Sequence, residues 1–380
     1  MALFIWIDGM AGQKPPRQDR QRRPNKGGGH MQKRKPQAKA ASSGAAAERG
    51  GHKPVQKPAQ KSPQRATQGA APKVSRETAS ATARQVSATI LETRPWDDYA
   101  LVDMGAGQKL ERYGPYRIVR PEPQAMGQPL LPQADWDKAD AIFSGNTDEE
   151  GPGRWRYQTP LGETWPMAYR DIRFHGRFTS FRHVGVFPEQ AAHWDWMIDR
   201  VSQSSRPLKV LNLFSYTGVA SLLAAAAGAQ VTHVDASKKA IGWARENQEL
   251  SRLTEAPIRW ICDDAVKFVA REKRRGNTYD GILLDPPKYG RGPKGEVWQL
   301  FDGLPDLLAD CRDILSPNAS FLILTAYSIR ASFVALDMLM QDVMANRGGQ
   351  VESGELVLKA ETGGRYLSTS LFSRWQGGQG

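Results

Sequence analysis

The sequence predicts an α/β fold: an open, doubly wound, mostly parallel sheet with an antiparallel terminal strand, preceded by a small β-rich module and a basic tail. Three observations carry this. From Leu208 onward, short apolar runs alternate with helical patterns, as in a parallel sheet covered on both faces. Val210-Leu211-Asn212-Leu213-Phe214-Ser215-Tyr216-Thr217-Gly218 reads as a buried strand breaking into a small-residue loop that opens a helix. Asp285-Pro286-Pro287-Lys288-Tyr289 ends another apolar run with an acid and a rigid double proline. In an open sheet both motifs would lie at the carboxyl edge, beside the topological switch point where ligands bind.

The chain divides by composition into a tail (1–92), a β-rich module (93–188) and the alternating α/β domain (189–376). Residues 11–88 carry 18 Lys and Arg against 3 acids and contain no Leu, Ile, Phe, Tyr or Trp. With no apolar face to bury, such a stretch cannot offset its ordering entropy and is expected to be disordered. It also supplies the basicity, because residues 89–380 hold 34 basic and 36 acidic side chains. A Lys/Arg/Gln/Pro/Gly arm of this kind attracts polyanions through counterion release, largely without sequence preference, and RNA is the natural partner. No aromatics interleave its charges, so base stacking by the tail is not expected.

The apolar run Ala2–Ile7 is too short for a signal-peptide core or a membrane span, and no later segment reaches the ~18 apolar residues a span needs. Cys262 and Cys311 give neither metal spacing nor a disulfide framework. A cytoplasmic protein without membrane contact and without a bound metal is the expectation.

In the module, Tyr99–Val102, Tyr116–Val119, Trp155–Gln158, Trp165–Tyr169, Phe174–Phe178 and His183–Phe187 read as short strands between turn signals. The Gly105/Gly107 pair is no dinucleotide fingerprint, since no helical pattern follows it. Residues 189–205 read as a helix. Then come strand Lys209–Phe214, helix Val219–Ala227, strand Gln230–Asp235 and a helix capped by Ser237 through Leu250. Strand Ile258–Cys262, helix Ala265–Lys273 and strand Gly281–Asp285 follow. A helix around Val297–Leu315, strand Phe321–Ala326 and helix Ala331–Met344 complete the alternation. A hairpin, Glu355–Lys359 with Tyr366–Trp375, turns at Thr362-Gly363-Gly364.

The loop Phe214–Gly218 is not G-x-G-x-x-G, so a pyrophosphate would lack the close backbone approach that glycines permit. Phe214, Ser215, Tyr216, Thr217 and Gly218 suit a ligand without phosphate whose carboxylate sits near a helix N-terminus, as S-adenosylmethionine (SAM) would. Asp235, with Ala236 after it, ends the second strand, where a carboxylate accepts hydrogen bonds from ribose hydroxyls. Asp263 and Asp264 end the third, where a carboxylate receives an adenine amino group; which of the two faces inward is left open by strand alternation. Proline restricts the residue before it, so Asp285 and Pro286 are held extended. With no N–H from either proline, the segment presents a carboxylate and carbonyls as an acceptor wall, suited to an amino or ring N–H of a base. On the same reading Lys288 holds a phosphate and Tyr289 stacks on the base.

Asn212–Gly218, Trp243-Ala244-Arg245-Glu246-Asn247, Asp263-Asp264 and Asp285–Tyr289 resemble the motifs of class I SAM-dependent ribosomal RNA methyltransferases, a Rossmann-like group. The likeness covers about residues 180–375 and points to the enzymes that methylate cytosine C5 or guanine N7 in 23S RNA. Gly185-Val186-Phe187-Pro188-Glu189-Gln190 is similar to the segment leading into that domain, with Ala191 where a basic residue is common. The resemblance implies SAM as cofactor and RNA as substrate. Residues 95–180 do not resemble the PUA module of many cytosine-C5 members. C5 chemistry also needs a thiolate to attack C6, and Leu324-Thr325-Ala326-Tyr327-Ser328, the loop where such members carry it, holds no cysteine. Methylation of a base in ribosomal RNA at nitrogen is therefore the leading expectation. The alternatives are a methyltransferase for DNA, protein or a small molecule, and a non-enzymatic RNA-binding assembly factor.

Overall fold

The computed structural model describes residues 87–145, 153–327 and 329–378; the tail through residue 86, where disorder was expected, lies outside the described residues. The first described strand, β1 (Thr89–Thr93), falls inside the stretch assigned to the tail and joins the large sheet, so the folded chain begins before residue 93.

The β-rich segment forms a five-stranded sheet from β2 (Tyr99–Gly105), β3 (Gln108–Tyr113), β4 (Tyr116–Pro121), β5 (Ala141–Ser144) and β6 (Arg154–Tyr157), in that spatial order. A short helix α1 (Gln133–Trp136) lies on the β4–β5 crossover, and a separate hairpin pairs β7 (Thr164–Tyr169) with β8 (Ile172–Arg177). Gly105–Gln108 is a tight turn with Ala106 and Gly107 both at positive φ, which fits the absence of a nucleotide fingerprint there. His183–Phe187, expected as a strand, is extended chain without a ladder.

β3 shows no apolar run because it carries a buried ion network. Arg120 of β4 donates from Nε and Nη2 to the two carboxylate oxygens of Glu111 at 2.7 and 2.8 Å, and Lys109 Nζ lies 3.3 Å from Glu122. Burial works against the Glu111 charge, but Arg120 and Lys109 hold its pKa below the usual carboxylate value. Tyr99 donates to the same carboxylate at 3.0 Å. Asp103 does comparable work nearby: it accepts from the Leu130 and Leu131 amides and the Trp136 indole, and Arg365 of the terminal hairpin reaches its other oxygen at 2.7 Å.

The large sheet follows a 3₁₀ turn (Pro188–Gln190) and α2 (Ala191–Ser202). Its parts are β9 (Lys209–Leu213), α3 (Val219–Ala226), β10 (Gln230–Asp235), α4 (Lys238–Leu250), β11 (Ile258–Cys262), α5 (Ala265–Arg275) and β12 (Gly281–Leu284). A small hairpin, β13 (Tyr289–Arg291) and β14 (Val297–Gln299), precedes α6 (Leu300–Asp313), β15 (Phe321–Tyr327), α7 (Phe333–Met344), β16 (Gln350–Lys359) and β17 (Tyr366–Gln376). The spatial order is β11-β10-β9-β12-β15-β17-β16-β1, with β9, β10, β11, β12 and β15 parallel and β17 antiparallel to its neighbours. Val297–Gln299, expected to begin a helix, is strand, and the helix starts at Leu300.

Double winding is visible residue by residue. Val210, Val231, Leu283, Phe321 and Ile323 pack in one apolar core with α2 and α3, whereas Leu211, Leu213, Ile282, Leu284, Leu322 and Leu324 pack in another with α5, α6 and α7. Alternate residues of a strand face opposite sides, so one run of Val, Leu and Ile feeds both cores. The terminal hairpin turns through Gly363 and Gly364, both left-handed. Among the described residues no helix is long and apolar enough to cross a membrane.

Removing one partner of a buried ion pair strands the other. Glu111→Ala should destabilise the fold by about 3–5 kcal/mol through the uncompensated Arg120 and Lys109. Urea unfolding followed by tryptophan fluorescence measures this, and an unchanged midpoint would show that water reaches the network.

Candidate functional site

The order of strand addition reverses at β9: β10 and β11 lie on one side of it, β12 and β15 on the other. The crevice at their carboxyl ends holds two open lobes, of about 520 and 600 Å³, that share Phe214 and Asp285 as a common wall. Sequence reasoning placed Phe214, Ser215, Tyr216, Thr217, Asp235, Ala236, Asp263, Asp264, Asp285 and Pro287 here, and all of them line one lobe or the other.

The floor is the loop after β9. Phe214, Tyr216 and Gly218 take φ values of 55°, 51° and 83°, so the loop alternates in and out of the left-handed region. For the two non-glycine residues this costs about 1–2 kcal/mol each, and fixed polar contacts offset it. Asp235 at the end of β10 accepts the Tyr216 amide at 2.9 Å and the Ser237 amide at 2.8 Å. Ser215 Oγ donates to the Asn212 and Val234 carbonyls, at 2.5 and 3.0 Å. Thr217 Oγ1 donates to the Gly185 carbonyl at 2.6 Å. The hydroxyls of Ser215 and Thr217 thus hold the loop rather than pointing at a ligand. Gly218 is required twice over: its φ is left-handed, and a Cβ there would lie 2.9 Å from the Ala244 Cβ.

Trp243 and Asn247 of α4, quoted above without a role, support this floor from below. Asn247 Nδ2 donates to the Thr217 carbonyl at 2.9 Å while its Oδ1 accepts the His175 amide at 2.8 Å. The Trp243 ring lies 5.8 Å from that of Tyr216.

Each acid has a distinct environment. Burial pushes the Asp235 carboxyl up to about 6, although its two backbone donors favour the ionised form. Each of its oxygens accepts one backbone bond and keeps capacity for a second, and the residue lines the second lobe. At the end of β11, Asp263 is neutralised by Arg271 at 2.6 Å and accepts the Asp264 amide at 2.9 Å. Asp264 caps α5 through Oδ1, which leaves its Oδ2 outside the cap and beside the second lobe.

Asp285 sits at the switch point. Its Oδ2 accepts from Gln190 Nε2 at 2.9 Å, and its Oδ1 is buried without a partner among the described residues. Burial, reinforced by Glu189, pushes its carboxyl up to about 7, against the pull of Gln190. The acceptor wall expected from the double proline is narrower than predicted, because the Pro287 carbonyl accepts the Trp298 indole at 2.7 Å. Trp298 also packs on Phe214 at 5.4 Å, a contact hidden from sequence because Val297–Gln299 reads as helix. Pro286 is buried, Lys288 is exposed and Tyr289 opens β13; none of the three lines the lobes. Gln190, Phe187, Asn212 and Thr325 do line the first lobe and were not predicted. Gln190 and Phe187 belong to a segment whose resemblance was noted, which was the available signal.

Residues 146–341 match the model of the S-adenosylmethionine-dependent methyltransferase family. A crystal structure of the SAM-dependent methyltransferase from Agrobacterium tumefaciens is 62% identical, covers 76% of this chain and 93% of its own, and superposes with a TM-score of 0.74. Ribosomal RNA large subunit methyltransferase K/L of Hahella chejuensis is 31% identical over 157 residues, 41% of this chain and 21% of that protein. Ribosomal RNA large subunit methyltransferase I of Aeromonas salmonicida is 32% identical over 147 residues, 38% of this chain and 36% of that one. The matched region is therefore well under two thirds of the length of either curated relative.

Asp235→Ala should weaken SAM about 10-fold or more, since hydrogen bonds to a charged group contribute about 1.5–3 kcal/mol each. In the wild type the affinity should be full above pH 6 and fall as pH drops through 6, because protonation removes an acceptor. Calorimetry across pH 5–8 checks both statements; equal affinity in the variant would remove Asp235 from the site.

Proposed function

From the premise that the chain belongs to the S-adenosylmethionine-dependent methyltransferase family, we propose that it methylates a nitrogen of an RNA base, in ribosomal RNA. The observation that carries the choice of atom is an ionisable acceptor at the switch point with no thiol beside it. The unpartnered Oδ1 of Asp285 is placed to accept an N–H. Cys262 is exposed at the far end of β11, against the Ala236 carbonyl, and Cys311 is buried inside α6. Burial raises both thiols, Cys311 strongly, which disfavours the thiolate that C5 attack needs.

The pocket fits the cofactor by its donor set: ribose acceptors at Asp235, an amino acceptor at Asp264, and a left-handed loop opening the N-terminus of α3 for a carboxylate. S-adenosylmethionine bound there supplies a methyl group on a sulfonium for in-line displacement. The protein's own contribution is positioning. Asp285 orients the nucleophilic nitrogen and, for an amino group, takes up the proton released when the N–C bond forms. Phe187, Phe214 and Trp194 line the first lobe and exclude water from it.

RNA as the substrate class is supported by the two ribosomal RNA methyltransferase relatives and by the hairpin beside the cleft. In β13–β14, Gly290 pairs with the buried Trp298, so Tyr289, Arg291 and Val297 face the other way. Tyr289 and Arg291 on that face, with the exposed Lys288 and Phe301 close by in sequence, offer cations for phosphates and rings for bases beside the segment that carries Asp285. A base within a duplex would have to be flipped out to reach the cleft.

Incubation with tritiated SAM and unmodified large-subunit ribosomal RNA, followed by nucleoside mass spectrometry, tests the reading. Turnover should rise with pH through about 7 as Asp285 ionises, and Asp285→Asn should lower it about 100-fold or more with little change in RNA affinity. Cys262→Ser should stay active; a 5-methylpyrimidine product would overturn the assignment to nitrogen.

The tail is proposed as a non-specific RNA contact. Deleting residues 1–86 should leave SAM affinity unchanged and flatten the fall of log RNA affinity with log salt. Equal slopes in the two proteins would exclude the tail from binding.

A further inference from the structure

Gln190 is the residue that organises the switch point, and no motif assigned it a role. It closes the 3₁₀ turn Pro188–Gln190, whose start is fixed by proline and whose Gln190 amide donates to the Phe187 carbonyl at 3.1 Å. The turn is held from behind by β1, since Thr93 Oγ1 donates to the Glu189 carbonyl at 3.2 Å. From this fixed base the Gln190 side chain spans the ends of two adjacent strands. Its Nε2 donates to Asp285 Oδ2 just beyond β12, and its Oε1 accepts from Thr325 Oγ1 of β15 at 3.3 Å.

The carboxylate decides which way the amide points. A carboxamide can present either its oxygen or its nitrogen to a neighbour, and the two ends carry opposite signs. The ionised Asp285 only accepts and so takes the NH₂, while the Thr325 hydroxyl, which can donate, satisfies the oxygen that is left. The flipped amide would set its oxygen against a carboxylate, two acceptors with no hydrogen between them. Thr325 is buried and Gln190 and Asp285 are partly so, which makes that alternative costly.

We propose that Gln190, held at its other end by Thr325, is a positioning residue that ties down Asp285 Oδ2 and so fixes Oδ1 as the oxygen offered to the target nitrogen. The inference rests on the reading of Asp285 as the acceptor. It also accounts for how a carboxylate can work in this apolar lobe. Burial and the neighbouring Glu189 both favour its protonated form, and the Gln190 donor opposes them. Glu189 is itself buried and raised by burial, with Lys109 and Arg120 of the module acting against that rise. The ion network of β3 and β4 therefore lies behind the same carboxylate.

The test titrates Asp285 in the full chain by ¹³C-carboxyl NMR, its resonance assigned by loss in Asp285→Asn. Gln190→Leu removes the donor at similar volume and should raise the Asp285 midpoint by about one pH unit, the equivalent of one net hydrogen bond. Thr325→Val should move it in the same direction by less, and it provides a second reading should Gln190→Leu fold poorly. With in-vitro-transcribed large-subunit ribosomal RNA, Gln190→Leu should lower kcat about tenfold at pH 7 while KM for RNA stays within about twofold. A folded Gln190→Leu protein with an unmoved Asp285 titration overturns the role of Gln190. Undiminished turnover in Asp285→Asn overturns the reading of the acceptor instead, so the two failures are told apart by different variants.

Discussion

The cofactor floor depends on one buried carboxylate. Asp235 ends β10 yet holds the loop that follows β9, by accepting the Tyr216 amide, and holds its own exit turn through Ser237. Two left-handed non-glycine residues in that loop would relax toward ordinary conformations without such an anchor. The residue proposed to bind within the pocket is thus also the one that shapes it. This explains why an acid is tolerated with a carboxyl lifted by burial to about 6: each oxygen is already half-solvated by backbone N–H groups before any ligand arrives.

Around that anchor the sheet divides the labour. Acids at the ends of β10 and β11 lie on the side of β9 that faces the second lobe, whereas Asp285 follows β12 at the wall between the lobes. On the reading proposed above, binding and chemistry fall on opposite sides of one switch point, with Asp285 where the two lobes touch. Trp298 stabilises the division, because its indole caps the Pro287 carbonyl while its ring supports Phe214.

Much of this was legible before the structure, for identifiable reasons. The parallel strands read clearly because they are buried on both faces, and the helices of the domain begin at recognisable caps such as Ser237 and Asp264. Acids at strand ends were legible as a set, although Asp263 pairs with Arg271 and Asp264 caps α5, structural tasks that the pattern alone does not reveal. What failed shares a different cause. β3 was missed because two of its buried positions are Lys109 and Glu111, charges neutralised by each other, by Arg120 of β4 and by Glu122. β13–β14 was missed because Val297 and Trp298 run straight into the apolar pattern of α6. Lys288 and Tyr289 were read into the cleft by proximity in sequence, and neither lines a lobe because the chain turns there into β13. The pairing that distinguishes Asp263 from Asp264 is with Arg271, within the helix that Asp264 caps.

The edge strand β1 has a consequence for how the chain is made. It pairs in parallel with β16, Thr89 opposite Gly354 and Thr93 opposite Leu358, so it docks on a segment made much later. The other neighbour of β16 in the sheet is β17, which ends at Gln376. During synthesis β1 has no template, and the Thr93 contact behind the 3₁₀ turn waits for it. Contacts of such long sequence separation are slow to form, because the whole intervening loop must be closed first. Growth from the ribosome therefore proceeds with the site's back wall open until β16 and β17 have been made.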